Sequence, residues 1–290
     1  MSLTAKLVLT PILLAQALRT RRRLPKLPEP PGARRGTTGT GPGLRLLITG
    51  DSSAAGVGAA TQRQALAGQL ARLVAQQCAA RVTWRLLARS GLTTAQTLHL
   101  LQREALPHFD IAVVVTGVND VIDQVASHRA VAAREALANW LRNALGVAHV
   151  VFAPLPPVHQ FPGLPQPLRW VSGADARRHD RALAQWAATR GDVSRVDIAL
   201  QLNPGVMADD GFHPGEPVYR QCASAIAQHI STGVWPRLDG TSTPSTVTTL
   251  DIQPEWQNPA HHRRQPGHRP GHRQTGGGRR REHRAVGQND

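Results

Sequence analysis

The stretch LRLLITGDSSAAGVG, residues 44–58, decides how the rest of the chain is read. Leu46, Leu47 and Ile48 form an apolar run that drives into a sharp polar turn, Gly50-Asp51-Ser52-Ser53. Small residues and glycines follow, and a helical pattern begins near Thr61. A buried strand that ends in a tight turn and feeds a helix leaves one side chain exposed at the carboxyl edge of a sheet. In open α/β sheets that edge is where ligands bind. A serine placed there sits beside free backbone N–H groups and the positive end of a helix dipole. Those features suit a nucleophilic hydroxyl and the oxyanion it creates. The plainer reading makes Ser52 a turn or N-cap residue.

Outward from this stretch, strand and helix signals alternate. Strands are expected at Leu44–Thr49, Val82–Ala88, Ile111–Thr116, His149–Ala153 and Val193–Ile198. Helices are expected at Gln62–Ala79, Thr93–Leu106, Ala130–Leu145, Ala174–Thr189 and Pro217–Ile230. The Ile111–Thr116 run is continuously apolar, as a central parallel strand should be. No hairpin signal joins any two strands, so the fold class is α/β. It is expected to be a three-layer α/β/α sandwich around a five-stranded parallel sheet. Right-handed crossovers then bring every strand's C-terminal loop to one edge.

The ends of the chain differ from its middle. Among the 290 residues, 34 Lys and Arg outnumber 19 Asp and Glu. Residues 1–43 hold eight of the basic residues and one acid, and residues 236–290 hold nine and five. The middle therefore carries a net charge of only about +4. The high isoelectric point belongs to the tails, and no specific nucleic-acid partner is expected of the domain. Residues 1–18 are apolar but short for a spanning helix, which needs about 20 residues. Ala15-Gln16-Ala17 has the look of a signal cleavage site, yet Arg19, Arg21, Arg22 and Arg23 follow it at once. Positive charge is retained on the cytoplasmic side, which argues against export. The segment reads as a membrane-surface helix with a basic flank, or equally as an N-terminal helix packed on the domain. A cytoplasmic, membrane-associated location follows from the first of these.

Leu24–Gly43, with five prolines and five glycines, reads as a linker. The expected organisation is thus an N-terminal segment and linker at 1–43, a catalytic-type domain at 44–235 and a disordered tail at 236–290. Pro154–Gly173 contains six prolines, Phe161 and Trp170, and has no periodicity. It reads as a long loop covering the carboxyl edge. Cys78 and Cys222 offer neither a disulfide framework nor zinc-type spacing and read as small apolar residues, although one bridge stays open. GVGAATQ lacks the Lys-Ser/Thr of a phosphate loop.

Four stretches fall at strand ends on the same edge. They are Gly50-Asp51-Ser52, Arg89-Ser90-Gly91, Gly117-Val118-Asn119-Asp120 and Asp210-Gly211-Phe212-His213-Pro214. Each has an ordinary reading when taken alone: a cap, a turn glycine, an Asx turn, a histidine opening a helix. Together and in this order they resemble the SGNH, or GDSL-type, serine hydrolase family over roughly residues 44–232. The family's marker residues would here be Ser52, Gly91, Asn119 and His213. Ser53 departs from the older signature, which has Leu at that place. The resemblance implies a flavodoxin-like sheet and places the triad acid at Asp210 rather than Asp209.

The chemistry supports those roles from the residues as well. A serine needs a general base near neutral pH. His213 alone among 13 histidines has an Asp three positions earlier in a short turn with glycine. Asp210 would fix its tautomer. The oxyanion donors would be the backbone N–H of Ser52, the backbone N–H of Gly91 and the side-chain amide of Asn119. The expected activity is hydrolysis of a carboxylic ester through an acyl-enzyme on Ser52, with no metal and no cofactor. The same site would serve an acyltransferase or thioesterase, and the substrate would be a small-molecule, lipid or sugar ester. A reading of another class makes the domain inert and the basic ends a tether to membrane or nucleic acid.

Overall fold

A computed structural model of the chain describes residues 3–239. The tail expected to be disordered lies, from residue 240 on, outside the described residues. Six strands form one sheet: β1 (Arg35–Thr38), β2 (Gly43–Gly50), β3 (Arg81–Ala88), β4 (Ile111–Val115), β5 (His149–Phe152) and β6 (Val193–Arg195). Their order is β1-β3-β2-β4-β5-β6. β2 to β6 are mutually parallel, which accounts for the five strands expected.

The sixth strand is a correction. β1 pairs antiparallel with β3, Arg35 opposite Arg85 and Thr38 opposite Val82, so the sheet is mixed. It comes from the stretch read as a linker. Its sequence, RGTT, has no apolar alternation and is at most half-buried. An edge strand needs only backbone groups facing an open ladder, and β3 supplies that ladder. The rest of the stretch is also docked. Pro30 is buried, the Gln62 amide donates to the Pro31 carbonyl at 2.9 Å, and Gln62 Nε2 donates to Ala55 O at 2.8 Å.

Both sheet faces are covered, as parallel sheets require. On one side, α3 (Leu66–Gln77) and α8 (Glu216–His229) pack over Leu46, Ile48, Ile111 and Val113. On the other, α4 (Thr94–Gln102), α6 (Ser127–Leu145) and α7 (Leu168–Ala187) pack over Leu47, Ala112, Val114 and Phe152. The alternation along β2 and β4 follows the two-residue period of a strand. Ile48, with no exposed surface, lies at the centre. Its replacement by Ala should cost roughly 2–5 kcal/mol.

Two single-turn helices, α2 (Ser52–Ala55) and α5 (Val118–Ile122), follow β2 and β4 directly. From β2 the chain goes to one side to make β3 and to the other to make β4. The crevice at their C-terminal ends is therefore the topological switch point. α4 opens on a capping box in which Thr93 Oγ1 accepts from the Gln96 amide and Gln96 Oε1 accepts from the Thr93 amide. α1 (Leu3–Arg23) lies on α7, and α9 (Trp235–Leu238) ends the described chain.

α7 begins six residues earlier than the periodicity suggests, so Leu168–Gly173 is helix and not loop. LRWVSG contains a β-branched residue, Ser and Gly, and its intrinsic helix preference is poor. Packing decides instead. Val171 is buried, and Gly173 lies so close to the single turn at Val158–Gln160 that a Cβ there would meet His159 Cβ at 2.5 Å.

Candidate active site

The turn after β2 is shaped by close approach. A Cβ on Gly50 would fall 1.9 Å from the Val115 carbonyl oxygen of β4, and its φ is +146°. Only glycine fits there. Asp51 then caps α2, its Oδ1 accepting from the Ser53 amide at 2.9 Å. Asp51 is buried, and that burial pushes its carboxyl up to about 7, against the pull of the Ser53 amide and of His213. Ser52, the first residue of α2, is left half-buried at the crevice. Tyr219 of α8 donates from its hydroxyl to Val57 O at 2.6 Å and so pins the far end of this turn.

Some 160 residues later the chain returns. His213 Nε2 lies 3.1 Å from Ser52 Oγ, and His213 Nδ1 lies 2.6 Å from Asp210 Oδ2. The expected acid, base and nucleophile thus form one unbroken hydrogen-bonded row. A local turn makes this geometry. Asp210 Oδ1 accepts from the amides of Phe212 and His213, each at 2.9 Å, and Ala208 N donates to His213 O at 2.9 Å. Burial works to raise the Asp210 carboxyl. The His213 ring and the two amides more than offset it, and its pKa lies below the usual value. The Phe212 ring meets the His213 ring edge-on at 5.2 Å and Phe161 at 5.2 Å, which confines the imidazole.

The second and third motifs meet across the crevice. Asn119 Nδ2 donates to Leu92 O at 3.0 Å, joining the loop after β4 to the loop after β3. Gly91 has φ +83°, yet a Cβ there would meet no atom within 4 Å. The glycine is needed for its backbone conformation, and its neighbourhood is open. Asp120 is held from two sides. Its carboxylate accepts from the Thr94 amide at 3.0 Å and the Thr94 hydroxyl at 2.6 Å, and Arg134 Nη2 stands 3.5 Å away with no exposed side-chain surface. A buried arginine beside a buried carboxylate anchors the turn that carries Asn119.

Sequence reasoning missed one further support. Glu29, in the supposed linker, accepts at Oε1 from the Ser90 amide and the Ser90 hydroxyl, both at 2.9 Å. Arg34 donates to Glu29 Oε2 at 2.7 Å and, through Nη2, to Ala88 O at 2.6 Å. Burial would raise the Glu29 carboxyl, but Arg34 and Ser90 more than offset it, and its pKa is lowered. The Ser90-Gly91 turn is thus strapped from the N-terminal segment. The only local hint was a charged pair in a proline-rich stretch.

A cleft of about 70 Å³ reaches Ser52, Asn119 and His213 and is walled by Val118, Phe161, Leu200, Leu202, Met207 and Phe212. Phe161 and Leu164 of the proline-rich stretch are buried, and Phe161 lines the cleft as a covering loop should. Trp170 is not part of it and stands 48% exposed on α7. His159 is exposed, and its backbone and Cβ lie against Gly173 of α7. Cys78 and Cys222 are both free thiols packed against the core, pushed by burial up to about 11 and about 12. Among the described residues no three His, Cys, Asp or Glu side chains group as metal ligands.

Known proteins resemble this chain in sequence and in fold. The sequence model of the GDSL-like lipase/acylhydrolase family matches residues 48–221. A GDSL-like esterase of Mycobacterium tuberculosis is 27% identical over 275 residues, which span 87% of this chain and 86% of that protein. Two solved structures share the fold. The lipase Lip_vut3 from a goat rumen metagenome superposes with a TM-score of 0.51 at 18% identity, over 65% of this chain and 97% of its own. The family 3 carbohydrate esterase of Clostridium thermocellum gives 0.51 at 16% identity, over 68% and 98%.

Proposed function

The chain belongs to the GDSL-like lipase/acylhydrolase family, and on that premise we propose that it is a serine hydrolase cleaving a carboxylic ester through an acyl-enzyme on Ser52. One observation carries this reading: the row Asp210–His213–Ser52, at 2.6 and 3.1 Å, opens onto the apolar cleft. Ser52 Oγ attacks the ester carbonyl carbon while its proton passes to His213 Nε2. The carbonyl electron pair moves onto oxygen, where the Ser52 and Gly91 amides and the Asn119 side chain stabilise it. Collapse expels the alkoxide, which takes the proton back from His213. Water then repeats the sequence on the acyl-enzyme and frees the acid. Asp210 holds Nδ1 protonated throughout and steadies the imidazolium.

The cleft walls are apolar and the space is small, so the favoured acyl group is short. In this reading the described core, with its N-terminal strap, is the catalytic unit, and the ester is a small molecule or a lipid or sugar conjugate. A fluorophosphonate probe tests the chemistry. Covalent labelling of the folded protein that vanishes in Ser52→Ala supports it, and a folded but unlabelled wild type refutes it. Adding a competing alcohol during turnover separates hydrolysis from acyl transfer by the products formed.

A further inference from the structure

Six large hydrophobic side chains stand exposed among the described residues: Ile12, Leu14, Leu18, Ile122, Trp170 and Leu238. Single apolar residues scattered over a surface need no explanation. Five of these six fall on three elements. Three lie on α1, Trp170 lies on the first turn of α7, and Ile122 ends α5. These elements pack in series, α1 on α7 and α7 on α5. α1 is docked at the start of α7, with Gln16 Nε2 donating to Gln166 O at 2.7 Å and Leu168 N donating to Gln16 Oε1 at 3.1 Å. Leu9, Leu13, Gln16 and Thr20 form its half-buried inner face, which leaves Leu14, Ala15 and Leu18 outward.

The charge around this apolar surface is mostly positive. Exposed Arg19, Arg21, Arg22, Arg23 and Lys26 follow Leu18 directly. On α7, exposed Trp170, Arg177 and Arg181 share one helical face. No Asp or Glu occurs before Glu29, and Asp123, the residue after α5 and beside Ile122, is exposed. We propose that this α1–α7–α5 face docks on a bilayer containing anionic lipid, beside the rim of the Ser52 cleft. Leucine and tryptophan enter the headgroup boundary while arginines pair with anionic headgroups. A second copy of the chain fits this face poorly, because it would gather the same arginines at one interface with only Asp123 to pair them. No helix among the described residues is long and apolar enough to cross a membrane, so the contact is one of lying on the surface. The inference goes beyond ester hydrolysis and does not rest on it.

The experiment is cosedimentation of the full-length protein with vesicles of phosphatidylcholine alone or mixed with phosphatidylglycerol. Binding is expected to the anionic vesicles and to weaken as salt is raised. Removing arginines among Arg19, Arg21, Arg22 and Arg23 by substitution to Gln should weaken it roughly fivefold per residue. Leu14→Ser with Leu18→Ser should weaken it roughly tenfold per leucine. Turnover of a soluble ester should stay at the wild-type level in both. If the leucine variant loses turnover, Trp170→Ser is read in its place by the same assay. Equal binding to neutral and anionic vesicles, no binding to either, or wild-type binding by the variants would overturn the proposal. So would a dimer that Leu14→Ser with Leu18→Ser dissociates, since that assigns the face to a second copy.

Discussion

Replacing Glu29 by Ala should slow catalysis although Glu29 touches no part of the Asp210–His213–Ser52 row. The carboxylate holds Ser90 through two hydrogen bonds of 2.9 Å and is itself held by Arg34 at 2.7 Å. The ion pair is partly exposed, with 36% and 29% of the two side chains accessible, and is worth at most about 1 kcal/mol. The two bonds onto Ser90 have water as a ready substitute, so the loss of global stability should be about 1–2 kcal/mol. The kinetic effect should be more specific. Complete loss of an oxyanion donor typically costs roughly 10²–10³ in kcat. Glu29→Ala leaves Arg34 Nη2 on Ala88 O and the Thr93 cap in place, so the Gly91 amide is loosened rather than lost. A fall of about tenfold in kcat is expected, with KM nearly unchanged, because the contact is made in the transition state. Glu29→Gln retains an acceptor for Ser90 and should fall less. The Glu29 pKa is lowered from 4.5, so its stabilisation is complete above the unfolded value and is lost as pH falls through the folded one. Wild-type kcat should therefore converge on that of Glu29→Ala at acid pH. The assay is steady-state hydrolysis of a soluble ester with a non-titrating leaving group, alongside a thermal melt. Wild-type kcat in Glu29→Ala, or a change in KM alone, would refute the strap.

Other outcomes follow from the same geometry. Asn119→Ala should lose roughly 10²–10³ in kcat. His213→Ala should lose more, and Asp210→Asn should fall toward the His213 variant because it favours the wrong tautomer; full activity in both His213→Ala and Asp210→Asn would remove His213 as base. Asp51, raised by burial to about 7, contributes stability in its protonated form that is present below the unfolded value of 3.8 and lost as pH rises through about 7. The folded protein should lose on the order of 4 kcal/mol across that window through this group, and Asp51→Asn should flatten the dependence of Tm on pH, an effect that parallel curves would disprove. A chain beginning at Leu27 should keep its turnover, whereas one beginning at Leu44 loses β1 and Glu29 and should turn over more slowly and melt earlier, as kinetics and a melt on the two fragments would show.

What was legible in the sequence was local. Leu46-Leu47-Ile48 running into Gly50-Asp51-Ser52 announces a buried strand and a sharp turn within a few residues. The apolar run at 111–115 announces a central parallel strand by itself. Asp210 and His213 sit three residues apart, so one turn sets their contact. Four such signals in one order were enough to place Ser52, Gly91, Asn119, Asp210 and His213 on the same sheet edge. The rest depended on partners far away in the chain. β1 has no hydrophobic pattern, because an edge strand is specified by the open ladder it meets and not by its own side chains. Glu29 reaches Ser90 across 61 residues. Arg134 looks like any helical arginine until folding buries it beneath Asp120. Trp170 belongs to a stretch that reads as a loop over the carboxyl edge, and it stands exposed instead on the first turn of α7. Short-range patterns fix which backbone conformation a segment takes. Which side chain ends up beside which, and whether it meets protein or water, is fixed only when distant segments pack, since that choice is decided by the total surface buried and the polar groups satisfied.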